Sequence, residues 1–472
     1  MVNMKLFKQI DLTIGKPWKV IIYLAIPIFL SQILGNAFSL INALVLKTTV
    51  GGDCVTAINS TGSISSVLFQ FAYGCSGGFA IMLSSYYGKK DFENLKKSFY
   101  NAIYLCLLIG VVITVLGLIV YKDLLVLLNV DERYLLKAQN YYFILLLSFV
   151  FMLLANFLGN ALRAIGDSTA PLLISLCSTF VNICFAFLFT GLIKLDTRGV
   201  AIATLIANLT NIIISLIYML RKYEYFSIKG QIVKINKKFC SSMLKLGVPL
   251  GLQWSILFIG SFFQARTING FGNGLATKAV SCYSPIESYL CMPLSAIANA
   301  LLSFVAQNYG NGDIKRIKNG VIDALIIDLI SWIVILLIGA IIAPYAPYIF
   351  MPKEEINDVI NGPIIKYYCL TYLKIVIPCL LLQSLLTISR SILQGCQKTL
   401  IPFLSGVGEL VARICVCAII PSLINPSNPV SDESYIGVCF SSPMAWLVSV
   451  IIMGFSAIYI LNKKLKQYNI YS

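Results

Sequence analysis

The chain has no histidine among its 472 residues. That absence removes imidazole acid–base catalysis, histidine proton relays and histidine-containing zinc sites. Charge is scarce too: Asp, Glu, Lys and Arg make up 12% of the residues, against roughly 25% in soluble domains. The 14 cysteines include no C-x-x-C pair, and Cys415 and Cys417 stand too close for a usual zinc pair. They read as small apolar filler. No nucleotide-binding loop or metal motif occurs, which argues against an enzyme.

What is present is apolar. Hydrophobic residues make up 58% of the chain, and the mean hydropathy is +0.84. A soluble core of this size would lack the polar surface to cover it, so the chain reads as an integral membrane protein. The formal charge of +16 does not point to nucleic acid, because the basic residues form short islands between apolar runs.

Twelve runs are long enough to span a bilayer as helices, near 18–46, 54–86, 98–121, 136–160, 169–193, 199–221, 241–269, 276–308, 318–343, 362–388, 400–424 and 436–461. The first follows a polar, basic segment without a cleavable-signal pattern. Lysine and arginine sort the loops. Lys89, Lys90, Lys96 and Lys97, the 222–240 segment, Lys315, Arg316 and Lys318 share a side with both termini. The positive-inside rule makes that side cytoplasmic, and a bacterial inner (plasma) membrane is the expected location.

The halves repeat each other. YYGKKDFENLK (86–96) matches NYGNGDIKRIK (308–318), and LRAIGDSTAPLL (162–173) matches LQGCQKTLIPFL (393–404). LAIP (24–27) matches LGVP (246–249), and RGVAIATLIA (198–207) matches IGVCFSSPMA (436–445). Four matches in one order argue for duplication. Six spans per repeat give both repeats the same orientation, with substrate expected where they face each other. The expected organisation is a cytoplasmic segment 1–17, an N-lobe 18–222, a linker 223–240, a C-lobe 241–462 and a tail 463–472.

Ionisable groups within spans usually face a cavity or a partner. The C-terminal half supplies Arg266, Glu287, Asp323, Asp328, Lys366, Lys374, Glu409 and Arg413. The N-terminal half supplies none deep in a span. Glu409 and Arg413 lie four apart on one helix face and are expected to pair. Glu287 sits between Pro285 and Pro293, in a stretch suited to a cavity, with Arg266 a candidate partner. In place of charges the N-terminal half carries amides: Asn36, Asn42, Asn156, Asn160, Asn182, Asn208 and Asn211.

The sequence resembles the multidrug and toxic compound extrusion (MATE) transporters of the multidrug/oligosaccharidyl-lipid/polysaccharide flippase superfamily. The resemblance rests on DLTIGKPWKVIIYLAIP (11–27), YYGKKD (86–91), LRAIGDSTAP (162–171), PLSAIANALLSFVAQNYGNGD (293–313) and LQGCQKTLIPFLSGVGEL (393–410). It implies an all-α membrane protein of twelve spans in two parallel six-helix repeats forming a V. It also implies export of amphipathic, often cationic small molecules in exchange for H⁺ or Na⁺ by alternating access, with no other cofactor and a monomer in the lipid. Many bacterial members carry a V-D-T-x-x-V-G type motif on span 1. Here Asn42 takes the place of the acid and Lys47 that of the glycine. The N-x-x-x-D of span 5 keeps Asn182 but has Ala186 in place of its acid, and the span 6 threonine matches Thr204.

Asparagine and threonine cannot titrate as proton carriers, and neutral ligands compensate poorly for a desolvated Na⁺. Coupling is therefore expected at Glu287 first and Glu409 second, with Asn42, Asn182 and Thr204 the remnant of an N-lobe ion site. Asn36, Asn156, Asn160 and Arg266 are the substrate-cleft candidates. The alternatives are a flippase for lipid-linked or polyanionic substrates, using Lys47, Arg266 and Lys374, and an uncoupled paralogue.

Overall fold

The computed structural model describes the backbone of residues 9–127, 130–227 and 233–471. Within it, the side chains at 38–47, 52, 63, 127, 273, 353 and 464–471 fall outside the described residues. The helices are α1 (Pro17–Thr49), α2 (Gly52–Ser60), α3 (Gly62–Gly88), α4 (Phe92–Leu127), α5 (Glu132–Ala164), α6 (Thr169–Phe187), α7 (Asp196–Lys222) and α8 (Lys237–Ile268). They continue as α9 (Leu275–Asn311), α10 (Ile314–Ile342), α11 (Ala346–Phe350), α12 (Lys353–Ile356), α13 (Asn361–Gly395), α14 (Leu400–Ile424), α15 (Asp432–Cys439) and α16 (Ser441–Tyr471).

Among the described residues, twelve helical segments are long and apolar enough to cross a membrane. The protein is an all-helical, multi-pass membrane protein. Leu108, Leu116 and Ile119 on α4, and Ile330, Leu337 and Ile341 on α10, are each more than half exposed. Such continuous apolar faces suit hydrocarbon, where every backbone group must be satisfied inside its own helix.

The expected second span, 54–86, is broken in two. Thr61 separates α2 from α3, and its hydroxyl donates to the Ile58 carbonyl at 2.7 Å. A local side-chain bond of this kind competes with the helical ladder inside the small, polar run Ser60–Ser63.

The chain divides into two compact units. One holds Ile26–Ser255, Ala306–Gly312 and the described part of Met1–Gly15; the other holds Lys16–Ala25, Ile256–Val305 and Asp313–Ser472. The first unit centres on Phe79, Phe99, Phe149, Phe157 and Leu158. Within it α3 approaches the chain of α9 very closely. A Cβ at Gly88 would drive into the Gln307 backbone, and one at Gly310 into the Ser85 backbone. These two contacts exchange equivalent positions of the duplicated stretches 85–91 and 307–313, so only glycine fits at 88 and 310. The segment before α1 is also held here. Leu12 N–H donates to Gln307 Oε1, Asn308 Nδ2 donates to the Leu12 carbonyl, and Gln9 Nε2 donates to Tyr87 and Tyr225.

The duplication extends to backbone detail. Asp91 accepts from Asn94 N–H at 3.1 Å, and its counterpart Asp313 accepts from Arg316 N–H at 2.8 Å. Lys90 and Gly312, equivalent in the motifs, both have positive φ, at 59° and 81°. So do Gly166 and Gln397, at 84° and 61°. These last two end α5 and α13 in one way: Asp167 N–H returns to the Leu162 carbonyl, and Lys398 N–H returns to that of Leu393. A left-handed residue that lets the next amides reach back is a common helix stop.

Candidate functional site

In the second unit the spans converge on a polar cluster. Glu287 lies midway along α9 and is half-buried. Tyr372 of α13 donates its hydroxyl to Glu287 Oε2 at 2.9 Å. The Tyr372 ring stacks on Tyr283, one turn before Glu287, with centroids 3.7 Å apart and planes at 16°. The acid therefore sits beside an aromatic pair, with one oxygen bonded and no ion-pair partner among the described residues. Arg413 is near enough to act on it electrostatically.

Glu409 behaves differently. It is 2% exposed and pairs with Arg390 of α13 at 3.1 Å, not with Arg413. Ser449 of α16 donates to the same carboxylate at 2.7 Å. Arg413 turns instead to Gln264 Oε1 of α8 at 3.1 Å, an oxygen that also accepts from Ser442. The expected Glu409–Arg413 pair is thus replaced. Arg390 and Ser449 both bond Glu409 Oε1, and the α8 amide offers Arg413 an acceptor of its own.

The remaining charges lie apart from this cluster. Arg266 is exposed in the last turn of α8 and forms no ion pair with Glu287 among the described residues. Lys374 is exposed, and Lys366 lies over the Tyr348 ring at 4.7 Å. Asp323 accepts from Trp18 N–H at 3.0 Å, and the sealed Asp328 accepts from the Ser384 hydroxyl.

The first unit holds the amides. Asn182 Nδ2 lies 3.4 Å from Thr204 Oγ1, so the two retained neutral groups meet. Ala186 is fully buried, and its carbonyl accepts from Thr190 at 2.6 Å. Thr190 lies in a π-helical turn, Leu188–Leu192, and bonds Thr49 at the end of α1 at 2.8 Å. Such π-turns are frequent at functional places in helices. Asn36 and Asn156 are half-buried, while the side chains of Asn42 and Lys47 fall outside the described residues. Asn160 donates to Ser76 Oγ at 3.1 Å and accepts from Arg163 at 3.0 Å.

Arg163 and Arg390 were not legible as interior residues in the sequence. Spans drawn to end at 160 and 388 stop two or three positions short of each. The helices run on to Ala164 and Gly395, because apolar residues follow each arginine. That continuation was the signal available.

The MatE family model matches residues 27–188 and 249–419, one stretch in each repeat. The probable multidrug resistance protein YoeA of Bacillus subtilis strain 168 is 25% identical over 308 residues, covering 64% of this chain and 66% of that protein. This chain therefore spans about two thirds of that relative's length. The multidrug export protein MepA of Staphylococcus aureus strain bovine RF122 / ET3-1 is 22% identical over 328 residues, covering 68% of this chain and 72% of that protein. A crystal structure of a MATE transporter in complex with MaL6 superposes with a TM-score of 0.86 at 18% identity, covering 97% of this chain and 99% of the other. Twelve spans, a structurally repeated pair of motifs and a family match across both repeats lead to one conclusion: the chain belongs to the MatE family.

Proposed function

We propose that this chain exports amphipathic organic molecules across the plasma membrane in exchange for H⁺ or Na⁺, with Glu287 as the coupling carboxylate. The observation that carries this reading is the contrast among the interior acids. Glu287 is half-buried and has no ion pair among the described residues, whereas Glu409 is locked to Arg390 and Asp328 is sealed beside Ser384. A coupling group must gain and lose its ion as access changes sides, and a carboxylate held by a sealed arginine is poorly placed to do so. The Tyr283–Tyr372 pair beside Glu287 offers flat aromatic surface to a cationic or aromatic solute. Membership of the MatE family and the printed name of MepA, a multidrug export protein, support the export direction.

The N-terminal repeat has no acid at the positions of Asn42, Asn182 and Ala186, so we assign it substrate contact through Asn36, Asn156 and Asn160. The lysine and arginine distribution supports cytoplasmic termini, and we take the monomer as the working unit.

The test is transport in proteoliposomes with pH and Na⁺ gradients imposed separately. Glu287→Gln is expected to cut gradient-driven efflux at least about tenfold, a loss of ~1.4 kcal/mol of coupling, while leaving the melting temperature near wild type. Full gradient-driven efflux by that variant would remove Glu287 from the coupling role.

A further inference from the structure

Arg163 stands in the last turn of α5 and is half-buried. Its Nη1 donates to Asn160 Oδ1 at 3.0 Å, and Asn160 is held in turn by Ser76 of α3 at 3.1 Å. Its Nε is enclosed and has no hydrogen-bond partner among the described residues. No acid lies within ion-pair distance of it among those residues. Asp167, four positions on, is already occupied by Ala170 N–H, Tyr218, Tyr223 and Lys222.

A cation partly removed from water without a counter-charge is disfavoured, so Arg163 calls for either a structural reason or an anion. The duplication supplies a control on the structural reason. The turn after α13 has the same reach-back hydrogen bonds and the same positive-φ residue as the turn after α5. At the position of Arg163 it carries Gln394, a neutral residue, also with an enclosed unpartnered nitrogen. An enclosed donor is therefore part of this turn, but a charge is not. The charge is particular to the N-terminal repeat.

We propose that Arg163 forms an anion subsite that takes a carboxylate or phosphate group on the transported molecule. Asn160 fixes the Nη1 end of the guanidinium, and Nη2 has no hydrogen-bond partner among the described residues and is not enclosed, which leaves a charged donor for an oxygen of a carboxylate or phosphate. One turn from Ser76 on α3, Tyr73 is 36% exposed and stands edge-on to Trp254 at 5.4 Å, giving apolar surface for the rest of an amphipathic molecule. Because the assignment names part of a transported solute, it rests on the export reading above. It adds that the solute carries an acidic group.

The experiment is equilibrium binding to the purified full chain in neutral-lipid nanodiscs at neutral pH, read by fluorescence anisotropy. The probes are rhodamine 110, which has a free carboxylate, and rhodamine 123, its methyl ester. Wild type is expected to bind rhodamine 110 about tenfold more tightly, ~1.4 kcal/mol. Arg163→Gln installs the residue that the other repeat uses at this turn, and it should erase the preference. Asn160→Asp gives Arg163 an internal carboxylate, so it should erase the preference for rhodamine 110 over rhodamine 123 without leaving the arginine unsatisfied.

The subsite is overturned if wild type shows no preference or binds neither dye, or if both variants keep the preference at wild-type melting temperature. Loss of the preference only when phosphatidylglycerol is added would assign the anion to a lipid headgroup and overturn the solute assignment. Gradient-driven rhodamine 123 efflux from proteoliposomes is scored separately. A binding preference without driven efflux would sink the export reading and leave the subsite standing.

Discussion

The two repeats share a backbone and differ in their interior chemistry. The turns after α5 and α13 have matching hydrogen bonds, and the motifs at 86–91 and 308–313 match down to the aspartate that accepts an amide three residues on. Inside, the C-terminal repeat carries an ion pair, Arg390–Glu409, together with Glu287, Asp328 and Arg413. The N-terminal repeat carries asparagines and the single buried-side cation Arg163 among the residues singled out above. The difference shows that the two repeats share Gly88 and Gly310 at one close approach and Asp91 and Asp313 at one turn, but no common set of interior charges.

The comparison breaks most severely at Arg390. Replacing it with alanine leaves Glu409 sealed and unpaired, and removing one partner of such a pair costs about 3–5 kcal/mol. The melting temperature of the purified protein should fall sharply, and Arg390→Gln combined with Glu409→Gln should recover much of the loss. If Arg390→Ala melts like wild type, the pair is not the fixed charge of this repeat.

A smaller effect is expected at the turn after α5, where Asp167 faces four donors and its counterpart is Lys398. Burial alone would raise the Asp167 carboxyl, but hydrogen bonds from Tyr223, Ala170 N–H and Tyr218, with the Lys222 charge, hold it below its ordinary value. A depressed carboxyl contributes stability that is full above its unfolded value, near pH 4, and is lost as pH falls through the folded value. Asp167→Asn should lower stability at neutral pH by about 1.5–3 kcal/mol, the range for hydrogen bonds to a charged group. It should also flatten the decline in melting temperature below about pH 4. An unchanged acid limb in the variant would show that other carboxylates set that decline.

The smallest effect sharpens the likeness itself. Gln397 adopts φ 61° where the other repeat has Gly166 at 84°. Left-handed backbone costs a residue with a Cβ roughly 1–2 kcal/mol, so Gln397→Gly should raise stability by about 1 kcal/mol. Gly166→Gln should do much worse than that substitution reversed, because a Cβ there also meets the Ile10 carbonyl. Equal and opposite effects at the two sites would mean that the Ile10 contact carries no weight.

Composition and pattern by themselves determined the membrane setting, twelve spans and the duplication. Hydrocarbon leaves the chain no other way to satisfy its backbone, and loop motifs are local. The same local reading put forward Glu287 and Glu409 as interior acids, and the family resemblance put forward Asn182 and Thr204. Local spacing could not choose partners across helices. Glu409 and Arg413 stand at the right separation on α14, yet only the packing of α13 and α16 against that helix brings Arg390 and Ser449 to the carboxylate, and α8 draws Arg413 away. The same limit hid Arg163, whose place inside the protein depends on how far α5 continues and on which face α3 covers. A side chain's charge is written in the sequence, whereas the group that answers it is chosen by helices far apart in the chain.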